Sequence, residues 1–324
     1  MEKQQKKVKK FSKWFVISFV LNLPLMSLCD AENTLAQSAP SPIEIPSSWN
    51  PVGSGARALG MGGAFIAVAD DATAASWNPG GLIQLETPEI SMVGSSFYRR
   101  EDNSFGTNPE ASGSQSTSVE ELNYLSLAYP FSLFNRNMIC ALTYQNLYDF
   151  NREADFILNQ TDGFFFYDRN IDISHEGNLS AIGLSYSIGL TPELSLGITL
   201  NFWEDWLGNH GWETTTRESG IISAPLSGPI MSYEIAEKKE YSFSGFNANL
   251  GFLWRLTSKL TMGGVVKTPF TADLDTKTTL SYFGAISSVD REDADPDMPL
   301  SYGIGFSYRF SDSFSVAADI YRTE

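Results

Sequence analysis

Residues 179–202 read LSAIGLSYSIGLTPELSLGITLNF, two runs of alternation with one short break between them. Ile182, Leu184, Tyr186, Ile188 and Leu190 fall on one side of the first run, opposite Ala181, Gly183, Ser185, Ser187 and Gly189. After 191–193 the pattern resumes, with Leu194, Leu196, Ile198, Leu200 and Phe202 opposing Ser195, Gly197, Thr199 and Asn201. Successive side chains of a strand point to opposite faces, so this is a hairpin with one apolar face and one face of small or polar residues.

The same period runs through 88–98, 125–133, 138–148, 241–256, 260–270, 302–310 and 314–320, which makes nine strands and no long helix. In 241–256 the apolar phase moves from odd positions (Tyr241, Phe243) to even ones (Phe246, Ala248, Leu250, Phe252, Trp254), predicting a β-bulge near Ser244 and Gly245. The links between strands alternate: long at 99–121, 155–178, 204–239 and 271–298, short at 135–137, 191–193, 257–259 and 311–313. Lipid tolerates no unpaired backbone, so a spanning sheet must close, and closed barrels carry tight periplasmic turns and long external loops. A Greek-key sandwich would not keep such order.

The expected fold is therefore all-β, a transmembrane antiparallel up-and-down β-barrel over 86–324, with the small-residue face lining the lumen. Tyr129, Phe131, Tyr302, Tyr308 and Phe310 at strand ends suit interfacial girdles. Single-chain bacterial barrels have even strand numbers, and the last residues, Ile320 to Glu324, lack a terminal aromatic. The expectation is a barrel incomplete at its C-terminus, with a strand hidden in a long loop as the alternative.

Charged residues are only 19% of the chain against 42% hydrophobic, which suits a surface not wholly wetted by water. A net charge of −16 argues against nucleic acid, whose phosphates need clustered cations. Lys3, Lys6, Lys7, Lys9, Lys10 and Lys13 precede an apolar run from Trp14 to Leu28, the order of a secretory signal and too short to span. Residues 1–31 are expected to be a signal peptide and 32–52, rich in Pro and Ser, a periplasmic tether. Cys140 is then alone in the exported chain, so no intramolecular disulfide forms.

Between tether and strands, residues 53–82 read GSGARALGMGGAFIAVADDATAASWNPGGL. Asp70 or Asp71 can cap a short helix through Ala75, and Asn78 before Pro79 ends it. By composition alone the stretch is an ordinary Gly/Ala connector. Yet Gly60, Met61, Gly62, Gly63 and Ala64, the Asp70–Asp71 pair, and Asn78, Pro79, Gly80, Gly81 and Leu82 resemble the N-terminal signature of FadL/TodX-type outer-membrane transporters, with Gly80 where that family has alanine.

The resemblance implies that 53–85 is a plug, or hatch, inside the lumen, with Gly62, Gly63, Asp70, Asp71, Asn78, Pro79 and Gly80 its gating residues. Glycine and alanine suit a segment packed against a barrel wall. It further implies passive uptake of long-chain fatty acids or aromatic hydrocarbons across the outer membrane of a Gram-negative-type bacterium. The partners would be those hydrophobic molecules, the surrounding lipid and lipopolysaccharide, and the barrel assembly machinery. Phe202, Trp203, Trp206 and Trp212 offer apolar area for capturing a solute from water, or girdle contacts at the outer interface. A barrel that scaffolds protein export or surface attachment is the alternative function.

No enzyme, metal or cofactor reading finds a footing. His175 and His210 have no ligand partner at metal spacing. Ser174 beside His175 would face the other way on a strand. The acidic run 290–297 lacks the pattern of a calcium loop and reads as a solvated external loop.

Overall fold

A computed structural model describes residues 50–324 except 107, 204–210 and 226. The expected signal peptide, most of the tether, Trp206 and His210 lie outside the described residues. The strands are β1 (Asn50–Pro51), β2 (Glu89–Asn103), β3 (Gly113–Leu133), β4 (Arg136–Asp149), β5 (Arg152–Asp162), β6 (Phe165–Gly189), β7 (Leu194–Trp203), β8 (Trp212–Ala224), β9 (Gly228–Arg255), β10 (Leu260–Lys267), β11 (Phe270–Thr271), β12 (Asp273–Tyr282), β13 (Ala285–Ala294), β14 (Asp297–Met298), β15 (Ser301–Ser311) and β16 (Phe314–Thr323).

Nine of them form one antiparallel path, β2-β3-β4-β6-β7-β9-β10-β15-β16, the strands that alternation predicts. The hairpin 179–202 is paired as read, Ala181 opposite Trp203 through to Gly189 opposite Ser195. Tight turns join β3 to β4, β6 to β7, β9 to β10 and β15 to β16, all at one rim. In the first, Phe134 and Asn135 both have positive φ, 53° and 58°, as a two-residue hairpin turn requires. β2 and β16 are the edges of the path, and no ladder joins them among the described residues.

Among the described residues most of these long links are strand, which corrects the sequence expectation. Beyond the other rim the chain continues as the ladder β5-β6-β8-β9-β12-β13. β6 and β9, 25 and 28 residues long, run through both layers. Polar residues made these segments look like loops, but the charges respect the strand period: in β6 Arg169, Ile171, Ile173 and His175 are buried, while Asp168, Asn170 and Asp172 are exposed. Of the acidic run 290–297, Asp290–Ala294 belong to β13 and Asp297 to β14, with only Asp295 and Pro296 between them.

The bulge expected at Ser244 and Gly245 is also absent. Odd residues of β9 face inward on both sides of that point: Phe243, Asn247, Asn249 and Leu253 are buried. What changes is the environment. From Phe246 onward the outward residues are apolar, with Phe246, Leu250 and Trp254 at 45–49% exposure. Just before it, the inward Tyr241 and Phe243 are apolar and the outward Ser242 is exposed. The apolar phase flips because the apolar side of the wall does, with no change of register.

The same outward belt includes Leu127, Leu142, Leu184, Leu196, Ile304 and Phe306, all exposed. Behind it the inner face carries buried Ser126, Thr143, Gln145, Ser185, Ser187, Ser195, Thr199, Asn201 and Asn247.

Those polar groups meet the N-terminal segment, which holds helices α1 (Ala56–Gly60) and α2 (Ala74–Trp77) and a 3-10 turn Pro79–Gln84. Its small apolar core of Ala58, Phe65, Ala69, Ala74, Ala75 and Leu82 packs with Ile139 of β4. Gly55 N donates to Asn123 of β3, whereas Phe65 N donates to Asp319 of β16. Contacts to strands near both edges show that the sheet curls around the segment. Nor is the end of the predicted tether free: β1 pairs with Tyr148 and Asp149 of β4, at the end remote from the tight turns.

Candidate functional site

The filled interior is the candidate site, and glycines on the wall set how closely the segment approaches. A Cβ at Gly197 would overlap the backbone of Pro79 and Gly80, and one at Gly251 would overlap Asn78 Oδ1 and Pro79. Gly263 and Gly305 stand in the same relation to Ile66 and Ala67. Backbone against backbone is the closest packing available, and only glycine on the strand permits it.

Asn78 sits at the centre and is fully buried. Its Nδ2 donates to Ile66 O at 2.7 Å and to Phe252 O at 2.8 Å, while its Oδ1 accepts from Gly80 N at 3.1 Å. Asn78 therefore ends α2 and caps the 3-10 turn that follows, with Pro79 at that turn's first position. Gly80 has its own reason: an added Cβ would lie 2.8 Å from Phe252 Cα, so alanine would push the segment off β9. The greater backbone freedom of glycine is taken up by that wedge.

The acids separate. Asp71 Oδ1 accepts from Thr73 N and Thr73 Oγ1 at 2.8 and 2.5 Å, closing the turn before α2. Asp70 caps nothing; it pairs with Arg57 at 2.6 Å. Gly62 and Gly63 take φ of 67° and 81°, where a side chain would be strained. Tyr124 OH, Ser195 Oγ and Thr199 Oγ1 donate to the segment carbonyls of Ala72, Gly80 and Ala75 at 2.6–2.8 Å.

This fold has relatives of known structure. A crystal structure of a Pseudomonas aeruginosa FadL homologue matches over 88% of this chain and 70% of that one, at 13% identity and a TM-score of 0.51. The chain has a FadL-like fold. The Pseudomonas putida toluene transporter TodX (10% identity, 86% of this chain and 81% of that one, TM-score 0.35) and the CymD monoaromatic hydrocarbon channel (14%, 85% and 94%, 0.31) also match, too loosely to add to the argument. No family model and no curated protein matches the chain.

Toward the outer hairpins, the interior of this FadL-like chain turns aromatic. Phe150 stacks on Trp212 at 4.3 Å and Trp212 on Tyr241 at 4.6 Å, while Trp203 lies 5.7 Å from Phe270 and 5.9 Å from Phe243. Gly245 leaves the space that Phe270 occupies. Of the residues expected to form an exposed landing surface, Trp203 and Trp212 are instead buried in this cluster. Phe202 points outward, against Phe246 at 5.1 Å, where it joins the exposed belt. One strand step separates Phe202 from Trp203, so they occupy opposite faces.

Two residues missed in the sequence complete the interior. Lys267 of β10 follows the inward Val265 by two positions, and its Nζ lies 5.8 Å from the centroid of Tyr321 with no ion pair among the described residues. Asp319 of β16 accepts from Phe65 N and Ile66 N through one oxygen, at 2.7 and 2.8 Å. A charge on the small-residue face of an alternating strand was the available signal for both. At the opposite end, a cavity of about 950 Å³ opens between the segment and the tight-turn rim, bordered by Arg57, Asp70, Arg255, Lys259 and Arg309.

Proposed function

We propose that the protein is an outer-membrane barrel for passive uptake of hydrophobic compounds, with residues 53–85 as its plug. The observation that carries this is the reversal of the apolar face at Gly245. On one side the wall is greasy outside and polar inside, as a sheet in lipid around a hydrated bore would be. On the other the inward face next to Gly245 carries the aromatic cluster of Trp203, Trp212, Phe243 and Phe270, where an apolar solute arriving from water gains a shielded surface. The fold shared with a FadL homologue agrees with this reading.

In the proposed path, the solute enters among the aromatics around Trp203, Trp212 and Phe270, passes the segment when it shifts, and leaves through the rim cavity. No residue performs chemistry and no energy source is needed, because the solute runs down its own gradient. The ammonium of Lys267, three positions before Phe270 and free of ion pairs among the described residues, favours a long-chain carboxylate over a neutral aromatic hydrocarbon.

The test is uptake of labelled oleate and of toluene by a deletion strain with and without the restored gene. Loss of oleate uptake with toluene entry little changed supports the fatty-acid reading. Equal loss of both leaves transport standing and removes the preference for carboxylates. Normal uptake of both, with a missing surface protein, would replace transport with the scaffold alternative.

A further inference from the structure

The N-terminal segment is tied to the wall in two unlike ways. At Asn78 every polar atom of the side chain has a partner, and Gly197 and Gly251 grip the adjacent backbone. At Asp319 one carboxylate oxygen carries both hydrogen bonds, to Phe65 N and Ile66 N, while Oδ1 is buried with no hydrogen-bond partner among the described residues. Gly305 of β15 lies opposite Asp319, and a Cβ there would collide with Oδ1.

We propose that Asp319 is the latch of the plug and Asn78 its anchor, so that the segment opens by lifting residues 61–66 from β10, β15 and β16, which also releases Ile66 O from Asn78, while 78–82 stay on β9 through the bond from Asn78 to Phe252 O. The position of Asp319 fits this role. Along β16, Tyr321 faces Lys267 toward the end where the aromatic cluster lies and Ser315 borders the rim cavity, with Asp319 between them. Lifting Phe65 and Ile66 would uncover the wall between the aromatic cluster and the rim cavity. Gly62 and Gly63, already at positive φ, give that stretch the backbone freedom to swing. An anionic oxygen accepting two amides holds firmly, yet its buried and unsatisfied twin disfavours the closed state, a balance suited to a contact that must break.

The latch rests on the reading of 53–85 as a plug, and the experiment separates the two. The full chain is reconstituted in vesicles, amide hydrogen exchange is followed along the segment, and efflux of trapped carboxyfluorescein is measured. Asp319→Ala should speed exchange at 65 and 66 about tenfold to a hundredfold, the factor expected on losing a hydrogen bond to a charged group. It should leave 78–82 unchanged and raise efflux. Asp319→Asn, which keeps an acceptor oxygen, should restore most of the hold by both measures, an outcome that loss of packing alone would not give. Gly305→Ala, which displaces the carboxylate without removing it, is the independent variant should Asp319→Ala fail to fold. Unaltered exchange at 65 and 66 in both variants overturns the latch. If deletion of 53–66 opens the vesicles but neither variant does, the plug stands and the latch falls; if the deletion does not open them either, the plug reading falls as well.

Discussion

Asn78 and Phe252 are 174 residues apart, and the side-chain amide of the first donates to the backbone carbonyl of the second at 2.8 Å. The bond ties the segment to a central strand of the path, and the space for it exists because Gly251 has no side chain. Gly251→Ala should therefore destabilise the folded protein by about 1–3 kcal/mol through overpacking. Asn78→Ala, which leaves the carbonyls of Ile66 and Phe252 without their donor, should cost about 1–3 kcal/mol for each group left unsatisfied. The urea midpoint of the heat-modifiable band reads both; a midpoint equal to that of the unmodified protein in either variant would contradict the packing described.

The reversal at Gly245 makes a positional prediction about lipid. Leu250 points outward within the apolar belt, whereas Ser232 points outward on the same strand far beyond it. Arginine at Leu250 should cost about 2–4 kcal/mol when the protein folds into vesicles, the penalty for a cation at mid-bilayer on a barrel's lipid face. Arginine at Ser232 should change little, staying within about 0.5 kcal/mol as surface substitutions do. Similar costs at the two sites would mean that the belt does not face lipid.

The nine strands and four tight turns were legible in the sequence because each depends on local chemistry: a two-residue period and turn-forming residues such as Asn135 and 191–193. The Gly/Ala block was legible as compact, and Asn78 as a helix stop. The outer hairpins were not. Arg169, Glu218 and Tyr233 put polar atoms on a buried face, and a face that mixes polar and apolar groups weakens the alternation signal. At Ser244 and Gly245 a change of surroundings imitated a change of register, since the sequence records which residues are apolar but not which face of the sheet is enclosed. Phe202 and Trp203 show the same limit, as adjacent aromatics sent to opposite faces.

Lys267 offers a test of ligand class. With no ion pair among the described residues, its ammonium can take a carboxylate entering beside Tyr321. Lys267→Met keeps a long unbranched side chain, one atom shorter, and removes the charge. Oleate affinity, followed by quenching of the buried tryptophans Trp203 and Trp212, should fall about tenfold, or ~1.4 kcal/mol, toward the low end for a hydrogen bond to a charged group. Toluene affinity should stay within about twofold, since a neutral ring gains nothing from the charge beyond a weak cation–π contact. Equal weakening of both ligands would assign Lys267 to packing.

The outer hairpins are held by a buried charge pair whose pH dependence can be worked out. Arg169 reaches Glu218 through Nε and Nη2 at 2.8 and 2.7 Å, and Tyr233 OH donates to the same carboxylate at 2.7 Å. Both charged side chains are almost wholly buried, at 5% and 0% exposure. Glu218→Gln leaves the guanidinium facing a neutral amide and should cost about 3–5 kcal/mol, as breaking one side of a buried pair does. Burial first, and then the hydrogen bond to Glu218 and its negative charge, hold the Tyr233 phenol above its ordinary range. The unfolded chain loses this proton near pH ~10 while the folded chain keeps it, so the stabilisation is complete below that pH and declines as pH rises above it. Raising the pH from 9 to 11 should therefore loosen the hairpins, seen as faster amide exchange in β8 and β9. In Tyr233→Phe, which is somewhat less stable at neutral pH for want of the hydrogen bond, that additional loss should vanish. Persistence of the full alkaline loss in Tyr233→Phe would assign it to other groups.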